Sequence, residues 1–250
     1  MGDMGKSHGW KQYPRHVANA WDSFIDWRRR KRGERSFFIQ HLRRMNAVNV
    51  LDVACGTGYD SIRLAKEGFE VTSLDASPHM LERAKYNAAK ERVILRCVRA
   101  DWKKLDSCFK PASFHAVIFL GNSFTHLFDR PDRESVLSSI HRLLKTRGML
   151  IIDHRNYDMI LDTGYKSKHK FVYCGENFEV IPVVRRDDLI RFSYFGKKHH
   201  WFLDIYPIRT NEMLELLANA GFSKIETFGD FERPFAKYGA DFIQHVAIKK

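Results

Sequence analysis

The stretch Leu51-Asp-Val-Ala-Cys-Gly-Thr-Gly-Tyr-Asp-Ser61 decides the fold of this 250-residue chain. The apolar run Val48–Ala54 leads into it, and Gly56 and Gly58 close it. This reads as a buried strand that stops at a tight turn, because glycine lets the backbone turn sharply and approach a ligand closely. Asp60–Glu67 follows as a helix ended by Gly68. The same unit recurs downstream. Glu70–Asp75 reads as a second strand, and Ser77-Pro78 opens a helix with serine as N-cap and proline at its first position. Met80, Leu81, Ala84 and Ala88 give that helix an apolar side. Val93–Val98 and His115–Leu120 read as strands three and four. Pro131–Lys145 reads as a helix with Val136, Ile140, Leu143 and Leu144 inward, and Gly148 leads into a fifth strand, Met149–Asp153. Strand–helix alternation at this spacing predicts a parallel sheet with right-handed crossovers and helices on both faces.

On the amino-terminal side, residues 14–45 read as helical with a break near Gly33; Phe38, Leu42 and Met45 share one face. After residue 155 the alternation stops. Short β-like runs follow at Lys170–Tyr173, Glu179–Val184, Leu189–Phe195 and His200–Tyr206, which predict an antiparallel insertion. A last helix, Thr210–Ala220, and two strands, Ser223–Thr227 and Phe242–Ile248, bring the main sheet to seven mostly parallel strands. The expected organisation is therefore an N-terminal helical cap (1–45), an α/β core (46–156), an antiparallel lid (157–207) and the C-terminal part of the core (208–250).

Composition narrows the class. The length suits one sizeable domain, or one domain with a small insertion, and 44% hydrophobic residues are enough for a real core. The longest apolar runs, such as Met149–Ile152, are too short to span a membrane. The first residues carry no apolar secretory segment, and Lys6 stands where a myristoylation signal needs Ser or Thr. Cys55, Cys97, Cys108 and Cys174 form no CxxC pair and have no histidine at zinc-finger spacing, so reduced thiols in a cytoplasmic protein and no metal are expected. The 42 Lys+Arg exceed the 30 Asp+Glu, for a formal charge of +12. Six of the eight residues in Arg28–Arg35 are basic. That run suits a nucleic-acid or anionic-membrane patch, or a solvated helix face whose field favours anions. Trp27, Phe37 and Phe38 flank the run rather than interleave it, so they read as core contacts, and the solvated face is the preferred reading.

In an open α/β sheet, ligands bind at the carboxyl ends of the strands. The first strand ends in the Gly56/Gly58 loop; a dinucleotide fingerprint would need a third glycine at 61, where Ser61 stands. Asp75, at the end of strand two, can accept from both ribose hydroxyls. Asp101-Trp102, at the end of strand three, can accept from an adenine amino group and pack on the purine. Strand four ends in Gly121-Asn-Ser-Phe-Thr-His126. A glycine-rich backbone, a ribose acceptor and an adenine acceptor, with no phosphate-binding lysine, point to a nucleoside that lacks phosphates and has cationic character. S-adenosylmethionine fits. Asp75 and Asp101 could each be a helix-capping acid instead; their joint placement at successive strand ends favours the ligand.

The blocks LDVACGTGYDS, GFEVTSLDAS, ADWKKLD, FLGNSFTHLF and DHRNYDMILDTG resemble those of glycine N-methyltransferases, most closely the glycine/sarcosine N-methyltransferases of betaine synthesis. WDSFIDW near the start, SKHKFVYCG in the insertion, and TFGDF and DFIQHV near the end extend the likeness over nearly the whole chain. The resemblance implies a Rossmann-like class I methyltransferase with an antiparallel lid. Its cofactor is S-adenosylmethionine, leaving as S-adenosylhomocysteine, and its substrates are glycine and sarcosine. Implied cofactor contacts are Tyr13, Trp21, Arg30, Ala54, Gly56, Gly58, Asp75, Ala76, Met80, Asp101, Trp102 and Leu120. Cys55 matches the glycine-only branch, whereas Phe24 stands where those enzymes tend to have tyrosine, so both branches remain open.

A sulfonium is already an activated methyl donor, so the protein must bring a neutral amine in line behind the methyl. An arginine is the natural clamp for an amino-acid carboxylate. Arg155 directly follows strand five, and the resemblance gives that position to the substrate; the alternative is a structural pair with Asp153 or Asp158. Asn122 can hold the carboxylate or the amine. The resemblance adds Tyr194, with Tyr157 and Tyr206 nearby in the pattern. His126 is a candidate proton acceptor. Expected partners are the small amino acids alone, with no membrane, no nucleic acid, and a monomer or small homo-oligomer. The rivals are an RNA methyltransferase on the same fold, favoured by the basic run, and a cofactor-binding sensor, disfavoured because a sensor needs no substrate clamp.

Overall fold

The structure is a computed structural model and describes residues 9–164, 173–196, 199–232, 235 and 237–250. Its main sheet has seven strands in the order β3-β2-β1-β4-β5-β10-β9. These are β1 (Asn49–Asp52), β2 (Glu70–Asp75), β3 (Arg96–Arg99), β4 (Phe114–Phe119), β5 (Leu144–Arg155), β9 (Phe222–Gly229) and β10 (Phe242–Lys249). The first five pair in parallel, and β10 runs antiparallel between β5 and β9. Successive residues of β1, β4 and β5 face opposite layers. Leu51, Val117, Leu150 and Ile152 join one core with Val136, Ile140, Leu143, Met213, Leu216 and Leu217. Val50, Ala116, Ile118 and Ile151 join the other with Phe37, Phe38, Leu42 and Leu64. Central strands buried on both faces are what continuous apolar runs specify.

The helices that cover these faces are α4 (Tyr59–Lys66), α5 (Pro78–Lys90), α6 (Leu105–Cys108), α7 (Arg130–Leu143) and α9 (Thr210–Asn219). Ser77 caps α5 by accepting from the Met80 N–H, with Pro78 in its first turn, as expected. The insertion opens on a short helix, α8 (Tyr157–Asp162), which the β-like reading missed; Asn156 caps it. A separate antiparallel sheet follows, formed by β6 (Phe178–Arg186), β7 (Leu189–Gly196) and β8 (His199–Ile205). Of the run expected at Lys170–Tyr173, residues 170–172 lie outside the described residues, and Tyr173 is in a turn.

The amino-terminal helices are α1 (Arg15–Phe24), α2 (Trp27–Glu34) and α3 (Phe37–Arg44), so the expected break near Gly33 falls just beyond it, and a further break separates α1 from α2. The breaks fall at Asp26, which caps α2 through the Arg28 and Arg29 N–H groups, and at Arg35, at φ +52°. Gly33 is demanded by packing: a Cβ there would lie 2.4 Å from the Tyr173 ring. Strand three begins at Arg96, not Val93, because Val93–Leu95 is a surface loop in which Ile94 is 99% exposed. The helix expected to reach Lys145 ends at Leu143, and β5 already starts at Leu144. The β4–β5 register shifts between Phe114 and Ala116, and residues 145–148 bulge out of the ladder. Cys55, Cys97, Cys108 and Cys174 are free thiols. Among the described residues no helix is long and apolar enough to cross a membrane.

Candidate active site

A cavity lies along the carboxyl ends of β1, β2, β4 and β5, roofed by the amino-terminal segment and by the small sheet. Gly56 stands at φ +52° and lines this cavity, with open space where a Cβ would be. A bare backbone facing a cavity is the cradle a close-bound ligand needs. Gly58, at φ +93°, makes the turn itself; a Cβ there would press on the Ala84 Cβ at 3.2 Å, so it also lets α4 pack on α5. Ser61, in place of a third glycine, is fully buried and donates to Asp52 Oδ2 at 2.7 Å while accepting from Ser73. Burial raises the Asp52 carboxyl despite those bonds.

Asp75 receives the Gly56 N–H on Oδ2 (2.9 Å) and the Ser77 N–H on Oδ1 (2.8 Å). It therefore pins the glycine loop to the next helix while lining the cavity. Burial pushes its pKa up to about 6. Asp101 caps the following turn through the Lys103 N–H at 3.0 Å on Oδ1. Its Oδ2 has no partner among the described residues. Trp102 donates from Nε1 to the Val53 carbonyl at 2.6 Å, which fixes its ring on the cavity wall beside Phe119. Both acids thus serve as caps and as cavity walls at once. Lys103 also lines the cavity, but its ammonium is paired with Asp132. A bare glycine backbone after β1, an acceptor at β2, and an acceptor and an indole after β3 fit a phosphate-free adenine nucleoside.

At the other end of the cavity, Asn122 stands in a left-handed turn at φ +65°. Its N–H donates to Asp153 Oδ1 (2.8 Å), and its Oδ1 accepts from the Arg155 N–H (3.0 Å) and from the Tyr157 hydroxyl (2.7 Å). The Asn122 amide donates to Thr125 Oγ1 at 3.0 Å. Asn122 therefore bolts the β4 turn to the end of β5. Arg155 is 4% exposed, with its guanidinium 4.6 Å from the Phe192 ring centroid and Nη2 donating to the Tyr194 hydroxyl at 3.1 Å. The neighbouring phenols Tyr194 and Tyr157 hold its charge against the cost of burial. Asp153 and Asp158 are engaged elsewhere, the first by Asn122 and the second by Arg209 and the Thr210 N–H. Tyr194 is buried under Trp201, whose ring stacks on it at 5.7 Å.

The amino-terminal segment closes the roof. Tyr13 OH and His126 Nε2 lie 2.9 Å apart, and the Gln12 amide grips the backbone of Asp204 on β8, donating at 2.9 Å and accepting at 2.7 Å. Burial lowers His126 to about 4, so its imidazole is neutral near neutral pH. Arg30 reaches the cavity between Glu34 (2.5 Å) and Asp60 (2.8 Å), with its guanidinium over the Tyr59 ring. Arg63 also pairs with Glu34. Elsewhere in the basic run, Arg29 pairs with Glu176 and Arg35 with Glu232. Among the described residues, three of the run's six cations are therefore matched to carboxylates.

Tyr13, Trp21, Arg30, Ala54, Gly56, Asp75, Ala76, Met80, Asp101, Trp102, Leu120, Asn122, His126, Arg155 and Tyr194 all line this one cavity. Gly58 and Tyr157 sit directly behind its wall, Gly58 donating its N–H to the carbonyl of Cys55 and Tyr157 its hydroxyl to Asn122. Tyr206 is placed apart: its hydroxyl donates to Glu212 and its ring is covered by Arg133 at 3.9 Å. Gln12, Asp153, His154 and Phe192 were not expected at the site. No local pattern marks Gln12 or Phe192, whose partners lie far away in sequence.

A family profile for methyltransferase domains matches residues 50–148. The chain is 42% identical to the glycine/sarcosine N-methyltransferase of Halorhodospira halochloris, over 97% of this chain and 91% of that one. It is 45% identical to the glycine/sarcosine/dimethylglycine N-methyltransferase of Actinopolyspora halophila, again over 97% of this chain but only 43% of that longer protein. The glycine N-methyltransferase of Rattus norvegicus is 42% identical over 93% of this chain and 90% of its own length. Among solved structures, an S-adenosylmethionine-dependent methyltransferase of Clostridium acetobutylicum superposes with a TM-score of 0.74 at 16% identity, covering 94% of this chain and 98% of that one, which shows the shared fold.

Proposed function

The chain belongs to the glycine/sarcosine N-methyltransferase family of class I methyltransferases, and on that premise we propose that it methylates the amine of glycine and then of sarcosine, with S-adenosylmethionine as donor. The observation that carries the reading is the buried guanidinium of Arg155, set between an aromatic face and a phenol at the end of β5, in the same cavity as the nucleoside acceptors. A small amino acid offers that site one strong handle, its carboxylate.

S-adenosylmethionine, when bound, supplies a methyl group on a sulfonium, which an amine can displace directly. The chain's own residues do the rest. Asp75 accepts the ribose hydroxyls, Asp101 the adenine amino group, and the Gly56 backbone allows close approach; Arg30, inside the basic run, meets the amino-acid end of the cofactor. Arg155 holds the substrate carboxylate through its planar fork. Asn122 fixes the Arg155 backbone and so sets where that fork points. The amine nitrogen must present a free lone pair, so it enters neutral, and after transfer the extra proton leaves with the product. His126, with a pKa near 4, stores that proton poorly; both of its ring nitrogens have protein partners, Tyr13 and Gln12, so it holds the roof instead. Tyr194 keeps Arg155 in register, and the roof of Tyr13 and Trp21 keeps water from the reacting centre. Tyr157 acts through Asn122, and Tyr206 stands outside this role. A cytoplasmic setting and a place in betaine synthesis accord with this chemistry.

The test is an end-point assay in which purified protein and S-adenosylmethionine meet glycine, sarcosine, dimethylglycine or bulk RNA separately, with products resolved by mass. Sarcosine and dimethylglycine from glycine support the reading. Arrest at sarcosine assigns the glycine-only branch. Label in RNA with inert amino acids overturns the proposal.

A further inference from the structure

Behind the substrate end of the cavity lies a chain of buried polar groups that the chemistry above does not use. His154 (β5) is 1% exposed and His245 (β10) is fully buried. Their Nε2 atoms lie 3.0 Å apart. His154 Nδ1 lies 2.7 Å from the Arg155 carbonyl oxygen, and His245 Nδ1 lies 3.0 Å from Thr227 Oγ1 on β9. The chain thus crosses three adjacent strands, from β9 through β10 to the end of β5.

The donors can be ordered from one end. A carbonyl oxygen only accepts, so His154 Nδ1 carries the proton. Both imidazoles are held neutral by burial, the second also by its neighbour. His154 Nε2 is then an acceptor, His245 Nε2 must be the donor, and His245 Nδ1 accepts from the Thr227 hydroxyl. Every polar atom of both rings is satisfied in this single arrangement, and in no other arrangement of two neutral rings.

His154 touches the clamp at two points. It holds the Arg155 carbonyl, and its ring stacks on Tyr157 with an interplanar angle of 9° at 6.2 Å. Arg155 N–H and Tyr157 OH both donate to Asn122 Oδ1. One imidazole therefore supports both residues that converge on that oxygen. We propose that His154, oriented by His245, is a positioning residue for the substrate-carboxylate clamp, acting through the Arg155 peptide and the Tyr157 ring. The proposal rests on the reading of Arg155 as that clamp.

The test compares His245→Leu with His245→Gln. Leucine deprives His154 Nε2 of its donor, whereas the glutamine amide can restore it. For His245→Leu we expect the KM for glycine to rise about tenfold, the size of one lost hydrogen bond. The dissociation constant for S-adenosylhomocysteine, read by calorimetry, should stay within about twofold, because the chain touches no nucleoside acceptor. His245→Gln should recover most of the glycine KM. Independently of turnover, nitrogen-15 spectra of histidine-labelled protein should show His154 protonated on Nδ1 and His245 on Nε2. An unchanged glycine KM in folded His245→Leu, equal losses for glycine and S-adenosylhomocysteine, failure of glutamine to rescue, or the opposite tautomers would each overturn the proposal. A wild-type protein that binds S-adenosylhomocysteine but leaves glycine unmethylated would instead remove the clamp reading beneath it.

Discussion

Replacing Arg155 by lysine isolates the geometry of the clamp from its charge. Arginine presents two parallel N–H groups to a carboxylate; lysine keeps the charge and offers a point contact. The site is only 4% exposed, so solvent cannot make up the missing bond. A hydrogen bond to a charged group is worth about 1.5–3 kcal/mol. At about 1.4 kcal/mol per decade, that is roughly a 10- to 150-fold loss in kcat/KM for glycine. Lysine also gives up the 3.1 Å bond to Tyr194 and the contact with the Phe192 face, which moves the expectation to the upper half of that range. On the proposed reading S-adenosylhomocysteine makes no bond to Arg155, so its affinity should hold. The decisive assay is a cycle in which wild type and Arg155→Lys are each given glycine and glycinamide, which lacks the carboxylate. The variant should lose most of the wild-type preference for glycine while the glycinamide rates stay close together. Equal loss on both substrates would refute the carboxylate clamp and leave Arg155 as a structural support.

Asp75 makes a pH prediction. Burial holds its folded pKa near 6, above the ordinary 3.8, so the ligand-free protein loses stability as pH climbs through that window, while ribose hydroxyls favour the ionised form. Affinity for S-adenosylhomocysteine, measured by calorimetry, should therefore rise between about pH 5 and pH 7, and Asp75→Asn should flatten the profile. Ser61→Ala should cost about 1–3 kcal/mol in urea unfolding, because Asp52 and Ser73 each lose a buried partner; a neutral result would show that the chain relaxes around the site. Arg32→Ala should leave S-adenosylhomocysteine affinity within about twofold, since exposed charges contribute little. Arg30→Ala, which leaves Asp60 without its cation and Glu34 with Arg63 alone, should lower the melting temperature and weaken binding. Equal effects of the two substitutions would restore the basic run as one functional surface.

The parts of the fold that were legible are those where local chemistry and tertiary placement agree. Glu70–Asp75 forms β2 at both of its expected ends, and Ser77-Pro78 caps the next helix as its residue types dictate. Val93-Ile94-Leu95 is the counter-example. Apolar side chains are strand formers only when something covers them, and nothing covers Ile94. Gly33 marks its break only to within two residues: α2 ends at Glu34, and the missing side chain of Gly33 serves a neighbour, Tyr173, rather than the turn itself. In the site, Asp75, Asp101, Asn122 and Arg155 were legible because the carboxyl ends of parallel strands converge by topology. The Gln12 grip on Asp204 and the Phe192 face under Arg155 were not, since each depends on how the small sheet docks.

The two lid tyrosines show how far a strand pattern could have been pressed. Tyr194 and Tyr206 both fall inside expected β-like runs, and both were candidates for the substrate. In β7 the inward positions are even: Ile190, Phe192 and Tyr194 are buried. Tyr194 pairs with Trp201 across the ladder, which makes the inward positions of β8 odd: Trp201, Leu203 and Ile205. Continued one residue further, period two points residue 206 to the opposite face. The strand stops at Ile205, the Tyr206 N–H donates to the Thr125 carbonyl, and the ring settles against Arg133 on the far side. The resemblance nominated Tyr194 and the pattern added Tyr206, but the parity of the paired strands favours only Tyr194. The parity of β8 could itself be read from the chain, where Trp201, Leu203 and Ile205 alternate with His200, Phe202 and Asp204.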